Sequence, residues 1–176
     1  VLFPVIALAL YIESPGPVFY RQERVGQGRD TFSMIKLRSM VPNAEREGKA
    51  VWAKDGDPRI TRVGRILRAT HVDELPQFLN ILKGEMSVVG PRPERPALVS
   101  ELEEAIPFYR LRHAVRPCMA CYAVLKHWHD NSVEDAALRV QYDFYYVKHQ
   151  SLYLDPLILL KTVQRMLSLE GGPQAG

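Results

Sequence analysis

The chain has 176 residues, which at ~150 residues per domain corresponds to a single domain and excludes a large multidomain assembly. Apolar residues make up 47% and charged residues 24%, a composition typical of globular proteins that excludes a disordered chain. The net charge is only +3, but it is unevenly distributed: residues 20–71 contain 12 basic and six acidic side chains, a net charge of +6. We expect this half to attract phosphate or an anionic surface.

The first segment, Val1 to Ile12, carries no charge and predicts an apolar helix that ends at Ser14-Pro15-Gly16-Pro17. Such a helix would be ~18 Å long, which is too short to cross a hydrocarbon layer of ~30 Å. Because neither an initiator methionine nor a basic flank precedes it, we expect the remainder of a longer, trimmed apolar segment rather than a signal peptide. A helix buried in the core is an equally good interpretation of its length.

Two short runs rich in strand-favouring residues follow, Val18 to Arg24 and Thr31 to Arg38, separated by residues 26–30 with two glycines. This pattern predicts a β-hairpin. Strand side chains alternate between faces, so Lys36 and Arg38 are expected on one face of the second strand. Val41 to Asp57 is polar and weakly patterned, which predicts a loop with at most a short helix.

An amphipathic basic helix is predicted next, since its apolar and basic positions recur at helical spacing. The apolar positions are Ile60, Val63 and Leu67, and the basic ones are Arg59, Arg62, Arg65 and Arg68. Thr70 is predicted to cap a further helix that ends at Gly84. The side chains expected to point inward from that helix are Leu75, Phe78, Leu79 and Leu82.

The remaining chain predicts a rigid loop at Val88 to Pro93 and helices at Ala97 to Leu111 and Val133 to Gln150. A last amphipathic helix could lie on a membrane surface or cover the core. Its apolar stripe consists of Leu159, Leu160, Val163, Met166 and Leu167. The predicted fold is a small, helix-rich, mixed α/β domain with a short β-hairpin.

Asp73 and Glu74 are the residues most suggestive of chemistry. Adjacent carboxylates at the start of a helix, directly after four arginines, combine a nucleophile or metal ligand with phosphate-binding charge. Mg²⁺ is commonly held by one or two carboxylates plus substrate phosphates, so the pair suits nucleotide-diphosphate chemistry. Acidic residues also favour first helical turns for purely structural reasons, and residue types alone leave both interpretations open.

Long ordered motifs over nearly the whole chain resemble the bacterial sugar transferases, which are monotopic polyprenyl-phosphate phosphoglycosyl transferases of the undecaprenyl-phosphate sugar phosphotransferase type. The motifs are SPGPVFYRQERVGQ, FSMIKLRSM, DPRITRVGRILRATHVDELPQFLNILKGEMSVVGPRPE, RHAVRP, QYDFYYVKHQSLYLD and LLKT. The resemblance implies that Asp73 takes a phospho-sugar from a UDP-sugar, releasing UMP, and that Glu74 supports it. Both carboxylates would hold Mg²⁺. A polyprenyl phosphate, such as undecaprenyl phosphate, would then accept the phospho-sugar.

The resemblance also implies a place in the cell and in biosynthesis. Residues 1–13 correspond to the outgoing part of a re-entrant membrane helix and 14–176 to the catalytic domain. The protein is expected in contact with membrane lipids on the cytoplasmic face of the bacterial inner membrane, at the first membrane step of exopolysaccharide or glycoconjugate synthesis, and a homodimer is compatible with this. No nucleic-acid partner is expected, because only the segment with net charge +6 would favour one.

Six further polar residues occupy positions of the family motifs. Cations are needed there because a carboxylate that approaches a diphosphate meets like-charge repulsion. The resemblance assigns substrate or phosphate binding to Lys36, Arg38, Arg68, Arg92, Arg116 and Asp143. For the last two, catalytic support and an internal ion pair are both open.

One region departs from the family. Where members read approximately RPGITGxAQV, this chain places Cys118 and Cys121 at the two glycine positions. If those positions need positive φ or close substrate approach, a Cβ is costly there, so an alternative is a catalytically inactive relative that serves as a binding or scaffolding module. The two cysteines with His127 and His129 match none of the usual zinc spacings, and we predict two small buried thiols.

Overall fold

The computed structural model describes residues 2–42, 44, 57–127 and 132–167. The helices are α1 (Leu2–Glu13), α2 (Arg62–Ala69), α3 (Gln77–Leu82), α4 (Pro96–Ala105), α5 (Tyr122–Lys126), α6 (Val133–His149) and α7 (Leu154–Leu167). The strands are β1 (Phe19–Val25), β2 (Thr31–Leu37), β3 (Ser87–Gly90) and β4 (Cys118–Cys121), and 3₁₀ turns lie at Gln27–Arg29, Val72–Glu74 and Tyr109–Ala114. The predicted mixed α/β class is confirmed.

Helix α1 forms where the uncharged segment predicts it and ends at Glu13, before the Ser-Pro break. Only one face is covered: Leu10 packs in a cluster with Leu37 and Leu67. The other face exposes Phe3, Val5, Leu8, Tyr11 and Ile12. In the described part of the chain, no helix combines the length and the apolarity that crossing a membrane requires.

Glu13 also links α1 to α2. Its two carboxylate oxygens accept the backbone N–H groups of Arg62 and Val63, at 2.6 and 2.8 Å. Thr61 Oγ1 accepts the N–H of Gly64 at 2.9 Å. The first turn of α2 thereby has acceptors for N–H groups that lack intrahelical partners.

The predicted hairpin is confirmed, with β1 and β2 antiparallel from Phe19 opposite Leu37 to Val25 opposite Thr31. Most of the predicted loop after it, residues 43 and 45–56, lies outside the described residues. The basic helix is shorter than predicted, because Ile60 instead pairs with Met40 in an isolated bridge. Thr70 does not cap the following helix: it ends α2, where its hydroxyl donates to the Ile66 and Leu67 carbonyls.

Gly64 is where α2 touches the chain that leaves the hairpin. A Cβ at this position would collide with the backbone carbonyl of Ser39. We therefore expect Gly64→Ala to lower the free energy of unfolding by about 1–3 kcal/mol, although alanine is the better helix former by ~1 kcal/mol. Urea unfolding measures this. Arg65→Ala, on the exposed side of the same helix, is the control, and a Gly64→Ala variant more stable than the native chain would contradict the prediction.

The orientation predicted for α3 is wrong. Leu75, Phe78 and Leu79 are about half exposed, and Leu82 is 83% exposed. The buried residues of the helix are Gln77 and Asn80. Spacing correctly predicts that the apolar side chains share one face, but hydrogen bonds of Asn80 with β2 turn the polar face inward.

The C-terminal half differs from prediction at two places. Residues 87–90, at the start of the predicted loop, form β3, which pairs in parallel with β4. The predicted helix at 97–111 ends at Ala105, and a 3₁₀ turn follows from Tyr109.

Helices α6 and α7 each bury apolar side chains in the core. Val140 of α6 packs with Val99 and Tyr109, while Ile158 of α7 packs with Val89 and Tyr146. Two residues of the predicted apolar stripe of α7, Leu160 and Val163, are exposed. The helix is therefore anchored through Ile158 and leaves an apolar face uncovered.

Candidate active site

Asp73 and Glu74 lie in the 3₁₀ turn between α2 and α3, one turn before the regular helix. His71 precedes them in the left-handed region, with φ of +54°, and so turns the chain sharply out of α2. Asp73 is only 6% exposed. The turn also contacts β2, the strand that carries Lys36. The carboxylate pair is thus held between the hairpin and two helices.

One oxygen of the Asp73 carboxylate, the buried Oδ1, has no hydrogen-bond donor among the described residues. Burial raises the pKa of Asp73 to about 6, with a further contribution from Glu74, while Lys36 and Arg68 act in the opposite direction. A buried acceptor without a donor costs free energy, so such groups are rare outside functional sites.

The pKa of Glu74 is shifted in the opposite direction. Lys36 Nζ donates to its Oε1 at 2.8 Å. Burial alone would raise the pKa of Glu74, but the charges of Lys36 and Arg92 outweigh it and lower that pKa to about 2. Two neighbouring carboxyl groups with different pKa values can perform different tasks at one pH. Here Glu74 stays an anion near neutral pH, while the charge of Asp73 changes at a pH of about 6.

Arg68 stands beside the pair from α2. Its Nε donates to Ser39 Oγ at 2.8 Å, and its Nη1 is buried and makes no hydrogen bond among the described residues. Burial lowers the pKa of Arg68, while the charges of Asp73 and Asp57 raise it. A guanidinium nitrogen with an unused N–H group next to a carboxylate is suited to donate a hydrogen bond to a phosphate oxygen.

The structure brings together five of the residues singled out in the sequence: Lys36, Arg68, Asp73, Glu74 and, through its charge on Glu74, Arg92.

Three others lie elsewhere. Arg38 is buried against the end of α1, where it donates to the carbonyl oxygens of Leu10 and Ser14. Arg116 is exposed, and Asp143 is buried in α6. Phosphate binding by these three stays a prediction.

Asp143 forms an internal ion pair, with Arg112 rather than with Arg116. Arg112 Nη2 and Asp143 Oδ2 are 2.7 Å apart, and the two side chains are 3% and 2% exposed. Arg112 also donates to Tyr109 Oη at 2.8 Å and to the carbonyl oxygen of Arg92 at 2.9 Å. The pair therefore fixes the backbone of the loop that carries Arg92.

Sequence reasoning missed the part played by Arg112. Arg112 lies within the RHAVRP motif, and membership of that motif was the only sequence feature that pointed to a role for it. The distance to Asp143 in sequence is 31 residues, so the contact could not be inferred from helical or strand spacing.

The two cysteines are buried free thiols, as predicted. Both belong to β4, and Cys121 has φ of −109°, while positive φ is confined to other residues among those described. Cys118 Sγ donates to the Gly90 carbonyl at 2.7 Å and lies 2.7 Å from Cys121 Sγ. The first condition for a costly Cβ, a positive φ, is therefore not met, since neither cysteine is among the described residues with positive φ; the second, close substrate approach, stays a prediction.

Comparison with known families decides what this arrangement belongs to. The family model described as bacterial sugar transferase matches residues 1–169. The chain belongs to the bacterial sugar transferase family. The resemblance found in the sequence motifs is thereby confirmed.

Curated relatives of this sugar transferase chain are similar over most of its length. It is 46% identical to the UDP-N-acetylgalactosamine-undecaprenyl-phosphate N-acetylgalactosaminephosphotransferase of Aeromonas hydrophila, over 92% of this chain and 38% of the relative. It is 42% identical to the UDP-glucose:undecaprenyl-phosphate glucose-1-phosphate transferase of Caulobacter vibrioides, over 93% of this chain and 62% of the relative. It is 41% identical to the exopolysaccharide production protein PSS of Rhizobium leguminosarum bv. phaseoli, over 90% of this chain and 82% of the relative. The chain thus spans less than two thirds of the first two relatives.

The carboxylate pair of this sugar transferase fits a divalent cation. Carboxylate oxygens are the ligands that Mg²⁺ prefers, and Asp73 Oδ1 is a buried oxygen whose capacity is unused. Within the described ranges, the chain does not assemble three or more His, Cys, Asp or Glu side chains around one point. Mg²⁺ usually keeps several waters and binds substrate phosphates, so two carboxylates suit a cation that arrives with a diphosphate.

The raised pKa of Asp73 predicts that the sugar transferase becomes more stable when this charge is removed. The carboxyl binds its proton more tightly in the folded chain, with a pKa of about 6, than in the unfolded chain, where the value is ~3.9. Its stabilising effect is therefore complete below the unfolded value and is lost as the pH rises through about 6. With a chelator at pH ~7.5, Asp73→Asn should raise the free energy of unfolding by about 2–3 kcal/mol.

Glu74→Gln is the matched control, with the opposite sign. The pKa of Glu74 is lowered to about 2, so its stabilising effect is present above the unfolded value and is lost only as the pH falls towards 2. Removing this charge also leaves Lys36 without its partner at 2.8 Å. Urea unfolding of the two variants at pH ~7.5 and ~4.5 measures both effects. A destabilised Asp73→Asn at the higher pH would contradict the prediction.

Proposed function

We propose that this chain transfers a phospho-sugar from a UDP-sugar to a polyprenyl phosphate such as undecaprenyl phosphate, through a covalent aspartyl-phosphosugar on Asp73, and releases UMP. The observation that carries the proposal is the buried Asp73 carboxylate, whose Oδ1 accepts no hydrogen bond from the described part of the chain, next to a Glu74 that Lys36 holds ionised. The names of the Aeromonas and Caulobacter relatives describe transfer of a sugar phosphate from a UDP-sugar to undecaprenyl phosphate.

The first half of the reaction forms a bond between an Asp73 carboxylate oxygen and the phosphorus that bears the sugar. The bond from that phosphorus to the bridging oxygen breaks, and the electron pair leaves with UMP. Asp73 must be ionised for this attack, because a protonated carboxyl is a poor nucleophile. The cations Lys36, Arg68 and Arg92 reduce the repulsion between carboxylate and diphosphate and stabilise the charge that develops on the leaving phosphate.

In the second half, an oxygen of the lipid phosphate attacks the same phosphorus. The acyl-phosphate bond breaks, Asp73 recovers its carboxylate, and the product is a polyprenyl-diphosphate sugar. Both halves use one nucleophile in turn, so the kinetics are expected to be ping-pong.

Asp73 and Glu74 would hold Mg²⁺, which supplies charge neutralisation for the diphosphate oxygens when it is bound. Glu74 suits this role since its pKa, lowered to about 2, keeps it ionised at neutral pH. Lys36 keeps the Glu74 side chain in one position through the 2.8 Å ion pair.

We also propose that the protein lies on one leaflet of a membrane, on the cytoplasmic face of the bacterial inner membrane. The acceptor is a lipid, and α1 exposes one side of an uncharged helix. Exposed apolar faces of this kind are typical of proteins that insert into one leaflet. The step would then be the first membrane step of polysaccharide or glycoconjugate synthesis.

The alternative, an inactive relative that only binds or scaffolds, was suggested by the two cysteines at family glycine positions. Their extended backbone and buried thiols give that alternative no support from strain. Activity still has to be measured to choose between the two.

The test is release of UMP. The chain, in detergent with Mg²⁺, is given UDP-glucose, UDP-galactose, UDP-N-acetylglucosamine or UDP-N-acetylgalactosamine in turn, and polyprenyl phosphate is added afterwards. UMP is expected with at least one of these donors, and a first burst of UMP is expected before the lipid is added. Failure with every donor, from a chain shown to be folded, would favour the inactive alternative.

A further inference from the structure

Helix α3 has its polarity reversed relative to a helix that packs on a core. Asn80, at 0% exposure, is buried against β2. Its Oδ1 accepts the N–H of Ile35 at 3.1 Å, and its Nδ2 donates to the Ser33 carbonyl at 2.8 Å and to Glu85 Oε2 at 2.7 Å. Because the Asn80 amide has partners for both of its ends, the polar face is fixed inward and the opposite face must point out.

The outward face is a continuous apolar stripe, which we call the α3 stripe. It consists of Leu75, Phe78, Leu79 and Leu82. Spacings of three and four residues place these side chains one above another on a helix, over a length of ~10 Å. The stripe begins at the residue that directly follows Glu74. About half or more of the surface of each of its side chains is exposed, and exposed apolar patches of this kind usually mark binding surfaces.

The charges at the start of the α3 stripe indicate what covers it. Lys36 and Arg68 stand beside Asp73, so a phosphate can be bound where the stripe begins. The exposed side chains of α3 itself are all apolar. This sequence of charge and apolar surface matches a phosphate ester with a long hydrocarbon chain. A second copy of the protein would have no need of cations at one end of its contact.

We propose that the α3 stripe binds the isoprenoid chain of the lipid acceptor next to the phosphate that reacts. The inference rests on the proposed function and makes it more specific, because it assigns the acceptor's tail to one helix face. Branched leucine side chains and an aromatic ring suit a methyl-branched chain that offers no hydrogen bonds.

The test compares Leu79→Ser, Leu82→Ser and the double variant with Leu160→Ser, an exposed leucine of α7 that serves as the matched control. Since each side chain is already exposed, the variants are expected to fold. In detergent, the KM for a long polyprenyl phosphate should rise about tenfold in the double variant. The KM for a water-soluble phosphate of two isoprene units should rise much less, and the KM for the UDP-sugar should stay unchanged. Leu160→Ser should behave as the native chain.

A second measurement does not depend on turnover. An isoprenoid phosphate with a photoactivatable group in its chain is expected to label α3, as located by mass spectrometry of the digested protein, and unlabelled polyprenyl phosphate should compete. Labelling confined to other elements would overturn the inference. An unchanged acceptor KM would also overturn the inference. Weaker vesicle binding of the same variants would then make the α3 stripe a bilayer contact, and a loss of dimers would make it a contact between copies. Absence of UMP from the native chain is a separate result that counts against the proposed function.

Discussion

Asp73→Asn is expected to abolish UMP release with every donor, both in the first burst and at steady state. The substitution keeps the shape of the side chain but leaves no carboxylate oxygen to form the bond to phosphorus. The expected loss is at least about 10⁴-fold, of the order seen when a covalent nucleophile is removed. Because the same substitution is expected to stabilise the fold, the loss cannot be attributed to unfolding.

Glu74→Gln provides the comparison. Glu74 is proposed to support the cation rather than to form a bond, so this variant should retain a measurable burst that increases with added Mg²⁺. After incubation with a UDP-sugar, intact-protein mass spectrometry should find the mass of one phospho-sugar on the native chain and none on Asp73→Asn. Steady-state UMP release by Asp73→Asn equal to that of the native chain, with no phospho-sugar found on either protein, would show direct transfer between the substrates and would remove the covalent intermediate.

Asp143→Ala is expected to lower the free energy of unfolding by about 3–5 kcal/mol, the largest effect on stability expected here. The substitution leaves the guanidinium of Arg112 as an uncompensated buried charge. Asp143 raises the pKa of Arg112 above its ordinary value against the effect of burial, and the guanidinium stays charged without this partner because an arginine side chain is not deprotonated in proteins. Urea unfolding at neutral pH measures the loss.

An exposed ion pair supplies the control for that measurement. Arg29 and Glu103 are 2.7 Å apart, but the Arg29 side chain is 59% exposed. Arg29→Gln should therefore change stability by less than about 1 kcal/mol. Asp143→Asn keeps the volume and one hydrogen bond to Arg112, so it should lose less than the alanine variant. Equal unfolding midpoints for Asp143→Ala and the native chain would contradict the prediction.

Local patterns determined a large part of this fold. The hairpin follows from two runs of strand-favouring residues around a glycine-containing turn, and its strands pair between residues 19 and 37. Helix α1 and helix α6 follow from an uncharged segment and from helical spacing, and they end where the sequence predicts, within one residue. The Asp73–Glu74 pair and the family were recognisable from residues close together in the chain. In each case the interactions that stabilise the element are local, so the sequence carries the signal.

The tertiary structure decided which face of α3 points inward. The periodicity of Leu75, Phe78 and Leu79 shows only that they share a face, and the usual preference for apolar interiors predicts the wrong side. The side was decided by Asn80, which bonds to backbone groups of β2 45 and 47 residues away in sequence. A buried amide is favourable only when partners of the right geometry exist, and those partners are known only from the folded chain.

The same holds for the chemistry of the carboxylate pair. The sequence determines that Asp73 and Glu74 are neighbours, but neighbours of one type would be expected to titrate alike. Their pKa values separate to about 6 and about 2, since the fold buries Asp73 and places Lys36, 38 residues away in sequence, against Glu74. Desolvation and charge pairing depend on distances across the folded chain, and for that reason only the tertiary structure decided which carboxylate has the lowered pKa and which has the raised one.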